Sequence, residues 1–137
     1  MLHLTKLAVG CRDVAALRTF QQARAVTDPP LRHRTRNAPR RAAEIIDGGS
    51  LYWVVAGALL VRQRVLDIVA DHWEDGSACA GLVLHPELVA VEGRPVKAFQ
   101  GWRYLLGHEA PPDVASGSEQ HGLPQALALE LRRLCLL

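Results

Sequence analysis

Aromatic side chains are scarce in this chain, at 5% of residues, so the core cannot rest on stacked rings. Each of the three tryptophans, all between positions 53 and 102, therefore carries weight. Long apolar runs are also missing. The longest, residues 51–61, has eleven residues, against the roughly eighteen or more that a membrane-spanning helix requires. The opening MLHLTKLAVGC has the outline of a lipoprotein leader, but Lys6 breaks an apolar stretch already too short for a signal core, and residues 2–9 read as a first strand. Three cysteines, Cys11, Cys79 and Cys135, are odd in number, far apart and without a C-x-x-C pair. That pattern fits a reducing compartment and points to the cytoplasm.

Catalytic signatures are absent too: there is no P-loop, G-x-G-x-x-G, G-x-S-x-G or H-E-x-x-H. Cys79 and His85 on one strand would lie on the order of 20 Å apart, too far for a nucleophile and its base. DHWED at 71–75 gathers three acids around His72, but it leads into the Asp75-Gly76 turn, and no second His/Cys group has ligand spacing. The expectation is a protein without catalytic residues, metal or cofactor.

What is present suits one domain of 137 residues, 49% hydrophobic and 22% charged. The net charge is only +2, but it is unevenly spread. Residues 1–41 hold nine Lys/Arg against two Asp, whereas the remainder is acidic. Such a division is a mark of a surface that faces a polyanion.

Along the chain, Asp13 caps a helix over residues 14–25, with Val14, Leu17 and Phe20 inward and Arg18, Gln21, Gln22 and Arg24 outward. TDPP ends it. LRHRTRN is extended or looped, and Pro39 opens a short helix over residues 40–46 that stops at Gly48 and Gly49. A hairpin follows, apolar on both faces of its first strand, with Ala56 and Gly57 at the turn. Strict pairing from that turn sets Leu51 opposite Arg62 and Trp53 opposite Leu60, so that Arg62 and Arg64 share a face with Trp53. Further strands are expected at 79–84, 88–91 and 102–105. A linker then leads to an amphipathic helix at 122–137, striped by Leu127, Leu131 and Leu134. The fold class is α+β, with a strongly bent, mostly antiparallel sheet or a small barrel flanked by helices.

RHRTRNAPRR, residues 32–41, places five arginines in ten positions. Guanidinium forks in that density suit phosphate oxygens, and the same residues equally suit a solvated loop paired to nearby acids. The candidate anion or nucleic-acid ligands are Arg32, Arg34, Arg36, Asn37, Arg40, Arg41, Arg62 and Arg64. The candidate stacking or pocket residues are Tyr52, Trp53 and Trp102, the last within FQGWRYL.

TRNAPRRAAEIIDGGSLYWVVAG, VRQRVLDI, CAGLVLHPELV, FQGWRYL, APPD and the closing LPQALALELRRLCLL together resemble the bacterial domain of unknown function 1489 family over almost the whole chain. Cys135 stands where that family leads one to expect a small residue. The family implies no activity. The order of Lys6, a helix, Arg36, Asn37, Arg40, the Gly48-Gly49 turn, Tyr52 and Trp53 is also similar to the EVE domain of the PUA-like superfamily, whose small bent barrels bind RNA or modified DNA bases. The Trp-x-x-Lys-x-Glu-Pro beginning and the tryptophan before the Arg-Asn pair of that pattern are missing here.

The resulting expectation is a cytoplasmic, non-catalytic nucleic-acid-binding protein, with RNA favoured over DNA, that does not associate with membranes. One alternative is an enzyme or sensor taking a small anionic ligand in the barrel mouth. Another is an interaction module, including self-association, that docks through the C-terminal helix.

Overall fold

Alternating apolar side chains in the first strand, then helical spacing in the next segment, underlie the element order of the computed structural model. It describes residues 1–97, 99 and 101–114. The strands are β1 (Leu2–Leu7), β2 (Arg32–Thr35), β3 (Ser50–Val55), β4 (Ala58–His72), β5 (Ala78–Leu84), β6 (Val89–Pro95) and β7 (Trp102–Leu106). The helices are α1 (Val14–Thr27) and α2 (Ala42–Ile46). All seven strands join one sheet in the order β2-β5-β4-β3-β1-β7, with β6 also paired to β4. The β1–β3 pair is parallel and the other pairs are antiparallel. This is an α+β fold with a bent sheet. The barrel alternative is not realised, because β2 and β7 end the sheet without pairing to each other.

The bend can be gauged from one contact. β2 and β3 are separated by β5 and β4, three strand spacings or roughly 14 Å in a flat sheet. Yet the rings of His33 on β2 and Trp53 on β3 meet edge to face, with centroids 5.1 Å apart. Strand β4 makes this curvature possible. Its first part pairs with β3 and β6 and its last part with β5, and its register shifts within both parts. Extra residues of this kind bend a strand and increase its twist. Leu66, passed over between Val65 and Asp67, is correspondingly 46% exposed.

The hairpin turn forms at Ala56 and Gly57 as expected, with Val55 opposite Ala58 and Val54 opposite Leu59. A bulge at Leu60 then moves the register by one, so Trp53 faces Val61, Tyr52 faces Arg62 and Ser50 faces Arg64. The expected sharing of a face by Trp53 and the two arginines is thus overturned. Arg62 and Arg64 lie on the face of Tyr52, and Gln63 lies on that of Leu51 and Trp53.

The main core, on the concave face, includes Leu4, Leu17, Ile45, Leu51, Trp53, Val65 and Leu82. A smaller cluster on the other face includes Tyr52, Val54, Leu59, Val91 and Leu105. Asp13 caps α1 by accepting from the Ala16 amide at 2.7 Å. Leu17 faces inward as expected, but the expected places of Gln21 and Phe20 are exchanged: Gln21 is buried and Phe20 is 55% exposed. Helix α2 begins at Ala42 rather than residue 40. Close approach explains the glycine after it: a Cβ on Gly49 would lie 2.2 Å from the Leu2 carbonyl oxygen and 2.5 Å from that of Ile45. No helix among the described residues is long and apolar enough to cross a membrane. The linker, the helix expected at 122–137 and Cys135 lie outside the described residues.

Candidate functional site

Strand alternation divides the arginine-rich segment before any tertiary contact does. On β2, Arg32 pairs in register with Val83 and Arg34 with Gly81, while His33, between them, pairs with Leu82 and turns to the concave core. Both arginines meet the Asp71 carboxylate and both reach Asp28 at the end of α1. Gly81 leaves the space: a Cβ there would come within 3.0 Å of an Asp71 oxygen. The Arg32 guanidinium holds the Asp71 carboxyl down to about 2, with Arg34 adding to the effect. Side-chain exposure is only 13% for Arg32 and 16% for Arg34. These two residues staple β2 and α1 to β4 and are largely withdrawn from any external anion.

Arg62 is similarly committed. Its guanidinium donates twice to Asp113, at 2.6 and 2.7 Å, and once to the Ser50 hydroxyl at 3.1 Å. The pair ties the 111–114 segment to β4, and Val91 on β6 forms a backbone bridge with Asp113. Arg64 is exposed and donates to the Ile46 carbonyl at the end of α2. Tyr52 is buried beside His3, so its ring is not available for stacking.

The remaining candidates come together. Arg36, Asn37, Arg40 and Arg41 are exposed on the loop between β2 and α2. The loop is held by β7: the Trp102 indole donates to the Asn37 carbonyl at 3.1 Å, and the Arg41 amide donates to the Tyr104 hydroxyl at 3.2 Å. Trp102 and Tyr104 meet edge to face at 5.1 Å, and the Arg41 guanidinium lies 5.8 Å from the Tyr104 ring centre while bridging Glu44. Arg36 and Arg40 have no carboxylate partner among the described residues. A cationic loop is thereby fixed against an aromatic edge strand.

Across the sheet, Lys6 pairs in register with both Trp102 and Trp53. Beyond Lys6 lies a pocket of about 500 Å³ that reasoning from sequence missed. Its lining includes Lys6, Phe20, Gln21, His33, Trp53 and Trp73. The signal was present in RHR: alternation that turns Arg32 and Arg34 one way must turn His33 the other. Below the pocket, the fully buried Gln63 amide is satisfied on every side. It exchanges two bonds with Gln21 at 2.7 and 2.9 Å, accepts from the Trp53 indole at 3.0 Å and donates to the His85 carbonyl at 2.8 Å. No cluster among the described residues has the makings of a metal site.

Neither a curated protein nor a solved structure matches this chain. A family model described as a protein of unknown function, DUF1489, matches residues 4–137. With its arginine-rich loop, glycine turn and aromatic strands all inside that match, the chain belongs to the DUF1489 family.

Proposed function

We propose that this protein binds single-stranded nucleic acid, RNA in preference to DNA, without catalysing a reaction. The observation that carries the reading is the pinning of the Arg36–Arg41 loop to Trp102 and Tyr104 by two hydrogen bonds. Phosphates need mobile or exposed cations, which Arg36, Arg40 and Arg41 provide. Unstacked bases need a ring to lie on, which the half-exposed Tyr104 and the partly exposed Trp102 provide. Arg36, Asn37 and Arg40 are also the positions that carry the EVE-like likeness. Arg32, Arg34 and Arg62 are reassigned to structural ion pairs, and Arg64 is set apart on another face. A cytoplasmic location suits this reading, and Cys11 and Cys79 are both free thiols.

Fluorescence anisotropy with a labelled single-stranded RNA, titrated at several salt concentrations, tests it. Replacing Arg36 and Arg40 together by alanine removes two phosphate contacts and is expected to flatten the log–log salt slope by about 1.4. Affinity at low salt should fall at least about tenfold. Binding that is absent at low salt, or equal in the double variant, refutes the assignment.

A further inference from the structure

Lys6 lies near the end of β1 on the same face as Leu4 and Trp53, half-buried and without a carboxylate partner among the described residues. Withdrawal from water pushes its pKa down. A cation in that position is costly unless something else meets it. On the same pocket wall, burial, with smaller contributions from the charges of Lys6 and Arg24, holds His33 down to about 4, so the imidazole is neutral at pH 7. Its Nε2 is closed to solvent and has no hydrogen-bond partner among the described residues. Lys6 and His33 thus border one cavity of about 500 Å³, well within the size range of small-molecule sites.

The apolar lining points the same way. Trp53 lies in the floor, while Phe20 and Trp73 stand at the pocket, 55% and 40% exposed, without a place in the core. A structural void has no use for exposed rings at its border, whereas a planar ligand does. The available charge limits the ligand further. Arg24, also in the lining, pairs with Asp28 at 3.9 Å, Arg32 and Arg34 are committed to Asp28 and Asp71, and Glu74 and Asp75 add negative charge. One uncommitted ammonium suits a monoanion better than a phosphate dianion.

We propose that this pocket binds an aromatic carboxylate, with the carboxylate at Lys6 and the ring against Trp53, Phe20 and Trp73. The site is separate from the loop assigned to nucleic acid, and each stands without the other.

Calorimetry on the full chain with 6-hydroxy-2-naphthoate, 2-naphthoate and 2-naphthol provides the test. Both naphthoates are expected to bind, with 2-naphthol weaker by about tenfold or more, consistent with loss of a charge-assisted hydrogen bond. Lys6→Met should retain the fold, as judged by an unchanged or raised Tm, and abolish the preference for the carboxylates over 2-naphthol. Trp73→Ser, at an exposed position, should weaken all three. Absence of saturable binding for all three at millimolar concentration overturns the proposal. So does a carboxylate preference that survives in folded Lys6→Met.

Discussion

A single buried amide organises the concave face. Gln63 is completely inaccessible, and each of its four hydrogen-bonding positions is filled by Gln21, Trp53 or the His85 carbonyl. Leucine at this position would have similar bulk but would leave the Gln21 amide, the Trp53 N–H and the His85 carbonyl without partners. Unpaired buried groups cost more than the original bonds contribute. Gln63→Leu is therefore expected to lower stability by about 3 kcal/mol, measured by urea unfolding; a loss below about 1 kcal/mol would refute this account of the network. An amide in an apolar strand was visible in VRQRV, but its partner was not. Gln21 reads as an outward residue because helical periodicity is judged from apolar side chains, and here the inward place four residues after Leu17 is polar.

Among the elements, the β3–β4 hairpin shows how far local chemistry reaches. The Ala-Gly turn was legible, because Gly57 interrupts the apolar run and readily takes the positive φ that a tight reversal needs. Ala56 nonetheless adopts a φ of +51° and Gly57 one of +83°, a conformation that favours asparagine or glycine at both central positions. Ala56→Asn should consequently raise stability by about 0.7 kcal/mol, seen as a higher Tm with unchanged binding; a lower Tm would contradict the strain assigned to this residue. The bulge at Leu60 was not legible. Nothing in AGALLVRQR distinguishes a continuous ladder from one with an extra residue, and that one residue decides which face Arg62 and Arg64 occupy. The arginine-rich segment shows the same limit. Its charge was evident, but the division into ion-paired Arg32 and Arg34 and exposed Arg36, Arg40 and Arg41 depends on Asp28 and Asp71, and Asp71 lies on a strand 37 residues from Arg34.

For the molecule as a whole, curvature joins parts that strand order separates. His33 reaches Trp53 because β4 bends, and it does so in neutral form. In the unfolded chain this histidine takes up a proton near the ordinary 6.5, whereas in the folded protein protonation waits until about 4. Between those values the unfolded state binds more protons, so stability falls as pH falls through this window and levels off below it. The full span amounts to about 3 kcal/mol. His33→Phe should keep the edge contact and lose much of this dependence. Unfolding free energies measured at pH 7.5 and 5 should therefore diverge less in the variant than in the native protein, and equal slopes would exclude His33 as the source. The α+β class and the bent sheet were legible from short strands set between a few helices. The failure of the sheet to close was not, since closure depends on strand order.

The antiparallel ladder between β1 and β7 joins Leu2 to Leu106, nearly the full length of the described chain. The β3–β4 and β4–β5 hairpins close across short turns and face a far smaller entropic barrier. Residues 50–84 are thus suited to assemble first, and the β1–β7 seam late. Trp102 and Tyr104 take their places on that seam, and through them so does the loop bearing Arg36 and Arg40. A nascent or partly unfolded chain would carry the same arginines without the aromatic backing. The cationic surface is complete only when β1 has found β7, so its completion marks a late step in the chain's own folding.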